Sequence, residues 1–326
     1  MSFVTRNFFD KIQNSTTFTK WRLPSPPYYD PNYWDRVYKD LTPDDCIEWG
    51  GFDLNGLLKF RFERVTLDEH HGSDVGTQET DSEKESTFAK WMGIQQHSSP
   101  EEASQRYLER RTNNEKCNDT ILLLGCGNSK MGEQLLVHGF QGPFLHLDVS
   151  SKVIQCMTQR YETYLKQAAV QRMEFIVDDA ATGLTSLEPE SVGGGVIDKG
   201  LLDALHCSLR NIHAEDTSND DGDPIQNIVA SVHRVLQPSR PFVFFSRSSP
   251  EYMLRRAFGK GNDARNRRKL WTDISVIKLT DLNVMLYRFI KAENHASKQR
   301  GMDDGNTVNS RVTTRGFRLK NKQRKK

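Results

Sequence analysis

Two glycines and an aspartate set the chemistry that this sequence can do. In the stretch 119–132, DTILLLGCGNSKMG, the apolar run Ile121 to Leu124 ends in Gly125 and Gly127. Neither glycine carries a Cβ, so the backbone can turn sharply there and a ligand can approach the main chain closely. Twenty-three residues past Gly125, a second apolar run, Phe144 to Leu147, ends at Asp148. That is about where nucleotide-type α/β folds set a carboxylate whose two oxygens accept from the two hydroxyls of a ribose. Asp178 and Asp179 follow a third run, Met173 to Val177, and suit the exocyclic amine of a base; Asp179 is the first choice and Asp178 the alternative. Asp198 ends a fourth run and could draw a cationic amine, whereas Asp203 reads as structural.

The third glycine position separates two ligand classes. A dinucleotide fingerprint needs a glycine three residues after Gly127, for close helix–strand packing and a pyrophosphate on the helix N-terminus. Here that residue is Lys130. S-adenosylmethionine carries no phosphate; it needs close approach at the turn and carboxylates for its ribose and adenine. The sequence therefore favours S-adenosylmethionine over a nicotinamide dinucleotide.

The elements that must position these groups follow from periodicity. Continuous apolar runs bounded by turns, alternating with amphipathic stretches, predict an α/β Rossmann-like fold with a mostly parallel sheet and helices on both faces. Helices are expected from Pro31, capped by Asp30; from Leu54, where Leu57, Leu58 and Phe62 recur at helical spacing; and over 100–111, behind the capping box Ser99-Pro-Glu-Glu. Others are expected over 129–139, after Ser150 with Val153, Ile154, Met157 and Tyr161 on one face, and over 225–236. Pro241 to Ser246 is a fifth strand. Two last strands, 274–279 and 283–289, are joined by only Thr280-Asp-Leu, which forces an antiparallel hairpin where a dinucleotide domain would place a helix. The count is seven strands.

Composition narrows the classes. Of 326 residues 36% are hydrophobic and 27% charged, which fits one folded domain diluted by polar segments. The expected division is an N-terminal extension (1–27), a core domain (28–293) with polar insertions near 68–117 and 208–224, and a basic disordered tail (294–326). No apolar run nears the roughly 20 residues that span a bilayer, so a soluble chain without membrane contact is expected. Five scattered cysteines without a C-x-x-C pair read as reduced thiols in an intracellular compartment, and no zinc site is indicated. His70 and His71 lack further ligands at metal spacing, and Asn219-Asp-Asp-Gly-Asp lacks a calcium loop's closing glutamate, so no metal is expected. The terminal GFRLKNKQRKK reads first as a solvated tail and second as a patch for nucleic acid.

The strings NYWDRVY (32–38), EWGGF (48–52), ILLLGCGNSKMGEQL (121–135), LDVSSKVI (147–154) and VIDKGLLDAL (196–205) together resemble class I methyltransferases related to those that modify elongation factor 1A. The resemblance covers about residues 29–293, apart from the two polar insertions. It implies a seven-stranded fold, S-adenosylmethionine as cofactor and, in several relatives, methylation of lysine or the N-terminus of a protein such as elongation factor 1A. It puts Gly125 and Gly127 on the cofactor loop, Asp148 with Val149 at the ribose, Asp178 and Asp179 at the adenine, and Lys199 beside the methionine part. Tyr33, Trp34, Arg36 and Trp49 fall in a front segment that resembles a cofactor lid, where Arg36 would pair with the methionine carboxylate. Core packing is an equal reading for Trp34 and Tyr38. No general base is evident, because His146 lies inside a strand and His206 follows DAL. The compartment expected is the cytoplasm, with the mitochondrion as alternative. Other acceptors implied as alternatives are another protein, including a mitochondrial enzyme, a small molecule or RNA; a non-catalytic binding module is the competing class.

Overall fold

The computed structural model describes residues 26–48, 62–65, 99–112, 119–140, 142–164, 171–209, 223–280 and 282–293. Residues Met1–Ala292 form one compact unit, and Glu293–Lys326 a second that is outside the described residues except for Glu293. The expectations for Trp49, Leu57, Leu58, His70 and His71, the 210–222 loop and the tail from 294 also lie outside them.

One sheet organises the unit. Its strands are β1 (Phe62–Val65), β2 (Ile121–Leu124), β3 (Phe144–Asp148), β4 (Met173–Val177), β5 (Gly195–Asp198), β6 (Pro241–Ser246), β7 (Trp271–Leu279) and β8 (Val284–Lys291), and they lie in the order β1-β7-β8-β6-β5-β2-β3-β4. From β4 to β6 the neighbours are parallel; β8 enters antiparallel between β6 and β7. The fold is thus Rossmann-like, with the seven expected strands and the C-terminal hairpin.

The eighth strand corrects the helix expected to run through Phe62. Residues 62–65 instead pair antiparallel with β7, from Phe62 opposite Leu279 to Val65 opposite Val276. Without them β7 would expose an unpaired row of N–H and C=O groups. Satisfying that edge outweighs a three-residue hint of helical spacing.

The helices are α1 (Pro31–Val37), α2 (Pro100–Thr112), α3 (Met131–Val137), α4 (Ser151–Tyr164), α5 (Leu201–Leu209), α6 (Pro224–Val235), α7 (Pro250–Phe258) and α8 (Gly261–Arg268). Alternation along the strands divides the core. Ile121, Leu123, Phe144, Val243 and Phe245 face α3 and α4 through Leu135, Met157 and Tyr161. Leu122, Leu124, Leu147, Phe242 and Phe244 face α5, α6 and α7 through Leu205, Ile228, Val232 and Met253. A sheet buried on both faces explains why its central strands read as unbroken apolar runs. Each of these fully covered side chains contributes roughly 1.5–3 kcal/mol.

Parallel pairing brings the chemistry to one edge. Leu124 lies level with Leu147 on one side and Asp198 on the other, so the glycine turn, Asp148 and Asp198 all emerge at the carboxyl ends of β2, β3 and β5.

Candidate functional site

The turn after β2 has the backbone its glycines allow. Gly125 and Gly127 take φ of 57° and 51°, in the left-handed region that side chains disfavour. Space is equally restrictive: a Cβ on Gly125 would lie 2.8 Å from Leu201 Cβ, and one on Gly127 would lie 3.1 Å from the Tyr38 hydroxyl oxygen.

Asp148 ties the turn to the next strand. One carboxylate oxygen accepts from the Gly127 N–H at 2.9 Å and the other from the Ser150 N–H at 3.0 Å. Burial pushes its carboxyl above the usual carboxylate range, while the N–H groups of Ser150, Gly127 and Val149 pull it back. With those N–H groups served, the carboxylate still has acceptor capacity for another donor. Val149, half-buried, follows directly, and Ser150 opens α4 as expected.

Asp178 and Asp179 leave β4 at the same edge with different partners. Asp178 accepts from Asp179 N–H at 2.7 Å and from the N–H and hydroxyl of Ser186 at 3.0 and 2.5 Å. Asp179 caps a short turn by accepting from Ala181 N–H at 2.9 Å. Asp198 is spent on the start of α5, where its two oxygens accept from the N–H groups of Gly200, Leu201 and Leu202 at 2.9, 2.7 and 3.0 Å. Desolvation pushes its carboxyl up to about 7 against the pull of those donors. Asp203 accepts from Ser246 Oγ and from Arg247 N–H, which joins α5 to the end of β6.

The front segment covers the turn. α1 is capped by Asp30, which accepts from Asn32 N–H at 2.9 Å, and its Asp35 accepts from Ser150 Oγ at 2.6 Å. Tyr33 meets Trp34 edge-on with centroids 5.3 Å apart, Trp34 stacks on Tyr38 at 5.7 Å, and the Trp34 indole donates to Tyr28 O at 2.8 Å. Burial, then the nearby Asp148 charge, pushes the Tyr38 hydroxyl well above the phenol range, so it stays a donor. Arg36 is on the exposed side of α1, its guanidinium 3.7 Å from Asp30. Farther along, Ile47 N–H donates to Asn128 Oδ1 at 3.2 Å, and the buried Arg160 of α4 donates to Asp45 O and Asn128 O.

Two residues at the site are not evident from sequence spacing. Tyr38 reads as packing yet reaches Gly127. Glu48 lies next to Trp49 in the quoted EWGGF string, and its carboxylate meets Lys199, Ser129 and the Lys130 N–H. Lys199 is therefore an ionic partner as well as a chain-path residue; the only sequence signal was the acid preceding the tryptophan.

His146 is buried, stacked on Phe175 with centroids 4.9 Å apart and facing the Tyr161 hydroxyl at 3.3 Å; burial pulls its pKa down to about 4. His206 packs edge-on to Tyr252 at 4.6 Å. Among the described residues no cluster of His, Cys, Asp and Glu is arranged to hold a metal ion, and no helix is long and apolar enough to cross a membrane.

No model of a known protein family matches this chain. It is similar to two curated proteins of Bos taurus. One is an "eEF1A lysine and N-terminal methyltransferase", 30% identical over 145 residues, which are 44% of this chain and 18% of that protein. The other is an "EEF1A lysine methyltransferase 4", 29% identical over 137 residues, 42% of this chain and 49% of that protein. The matched stretch thus spans between about a fifth and a half of these relatives' length. Among solved structures, a geranyl diphosphate C-methyltransferase from Streptomyces coelicolor superposes over 83% of this chain and all of its own, with 11% identity and a TM-score of 0.39. TrmN from Thermus thermophilus superposes over 58% of this chain and 48% of its own, with 14% identity and a TM-score of 0.35. At these scores the superpositions add no weight to the strand order and register.

Proposed function

We propose that the chain is an S-adenosylmethionine-dependent methyltransferase whose acceptor is a lysine of a protein, with elongation factor 1A as the first candidate. The observation that carries the cofactor assignment is the turn at the β2 end, where Gly125 and Gly127 take left-handed backbone that leaves no space for a Cβ and Asp148 at the end of β3 accepts from the Gly127 N–H. Sequence similarity to eEF1A lysine methyltransferases supports the acceptor.

The residues present fit this cofactor. The main chain at Gly125 and Gly127 would lie against it; Asp148 has acceptor capacity left for ribose hydroxyls, and Val149 follows at the same edge. Asp179, with one oxygen in a cap, would accept from the adenine amine, with Asp178 beside it. Tyr33 and Tyr38 supply an aromatic cover. When bound, S-adenosylmethionine supplies an electrophilic methyl group on a sulfonium sulfur.

The work of the chain is alignment and exclusion of water, since in-line displacement gains most from a fixed near-attack geometry. A lysine acceptor must be neutral to attack, and desolvation beside the rings of α1 would lower its pKa. His146, neutral and sealed within the sheet, is no proton acceptor for it. We assign the enzyme to the cytoplasm, in keeping with five cysteines that form no C-x-x-C pair.

Calorimetry with S-adenosylmethionine on the wild type and Asp148→Ala tests the cofactor: binding lost in the variant is expected, and a wild type that does not bind overturns the assignment. Incubation with labelled cofactor and purified elongation factor 1A, followed by peptide mass spectrometry, tests the acceptor. Label confined to small molecules or RNA in a cell extract would refute it.

A further inference from the structure

Donors from three separate stretches of the chain meet one carboxylate above the glycine turn. Glu48 Oε1 accepts from Lys130 N–H at 2.7 Å and faces Cys46 Sγ at 3.4 Å; Oε2 accepts from Ser129 Oγ at 2.8 Å and from the Lys199 ammonium. Lys199 and Glu48 expose 7% and 17% of their side chains. Taking two charges out of water is costly, and the cost is offset only where geometry is good and the remaining lone pairs are used. Here Lys130 N–H, Ser129 Oγ and Cys46 Sγ take up the lone pairs that Lys199 leaves. Asp45 and Ile47 give only main-chain atoms to the contacts with Arg160 and Asn128, so Glu48 is where the front segment commits a charged side chain to the turn.

We infer that Glu48 is a positioning residue: paired with Lys199 at the end of β5, it locks the front segment over the glycine turn, and ligand affinity at the turn depends on that lock. The ligand half of the inference rests on the methyltransferase reading; the lock itself does not. A glutamine at 48 would keep the size but put an amide N–H₂ against the donors of one oxygen. A methionine at 199 would leave the carboxylate its donors at Ser129 and Lys130, so its effect should be smaller. An arginine at 199 restores the charge and a longer donor.

The test uses the full chain and two readouts. Hydrogen exchange without ligand should show amides in 31–48 of Glu48→Gln exchanging about tenfold faster, with the amides of β2 and β5 unchanged. Titration with S-adenosylhomocysteine should show Glu48→Gln binding at least tenfold more weakly, Lys199→Met less affected, and Lys199→Arg within threefold of wild type. In turnover, KM for the cofactor should rise while kcat at saturation stays within threefold. Unchanged exchange over 31–48 in Glu48→Gln overturns the lock, and tighter binding by that variant overturns it too, since Glu48 would then be competing with the ligand for Lys199. If the wild type binds no S-adenosylhomocysteine, the methyltransferase reading falls and the exchange result alone decides the lock.

Discussion

Asp148 and Asp198 stand at the ends of β3 and β5, on either side of β2, both buried and both aspartates, yet they do different jobs. Asp198 gives both oxygens to three successive N–H groups at the start of α5. Asp148 gives one oxygen to the glycine turn and the other to the start of α4, with the Val149 N–H acting on it as well. A strand-end carboxylate is therefore not a ligand group by position alone; what matters is how many of its lone pairs the backbone has already used.

The largest effect should come from the more heavily used carboxylate. Asp198→Ala leaves three buried donors without their acceptor and should lower unfolding free energy by about 3 kcal/mol. Urea denaturation measures it, and a loss below about 1 kcal/mol would mean water or a neighbour replaces the cap. Gly125→Ala lies between the two aspartates, since its new Cβ meets Leu201 at 2.8 Å and its φ of 57° is strained. It should cost about 2 kcal/mol. A variant as stable as wild type would show that α5 yields more readily than its capping suggests.

Asp148→Asn sharpens the contrast from the other side. An asparagine still accepts from one of the two N–H groups, so stability should change by about 1 kcal/mol or less. Affinity for S-adenosylhomocysteine should fall at least about tenfold, or 1.4 kcal/mol. The reverse pattern, an unstable fold with intact binding, would erase the distinction drawn between the two aspartates.

Acidity offers a continuous measure of the same aspartate. The folded pKa of Asp198, about 7, lies above the roughly 3.9 of an unfolded aspartate, so the folded chain holds this proton more tightly. Its contribution is fully present below pH 4 and is lost as pH rises to about 7. Asp198→Asn should remove that decline from the stability–pH curve, and a difference curve that is flat over this window would rule out the shift. Smallest of all, Arg36→Ala should change stability by less than about 0.5 kcal/mol, because its pairing with Asp30 is exposed. A larger loss in the melt would show that Arg36 is held more firmly than its exposure implies.

Much of this fold is legible in the sequence where one local cause dominates. β4 and β6 begin and end at the expected residues, and the brief link after Leu279 can only be a hairpin. α3 starts two residues later than expected, after a turn in which the Ser129 hydroxyl donates to Glu48 and accepts from the Met131 N–H. α8 gives no periodic signal since it buries no residue. Glu48 and Tyr38 escape for another reason: their roles depend on residues 81 and about 90 positions away, which no spacing rule reaches.

The pairing of β1 with β7 joins residues made early in synthesis to residues made late. While the ribosome is still short of residue 271, the segment 62–65 has no strand to add to, even though β2 to β6 are complete. Release of a chain truncated before the hairpin would leave that segment, and the β6 edge that β8 covers, open to pairing with another molecule. Closure of the sheet is thus a late event that reports whether synthesis has passed the β7–β8 hairpin.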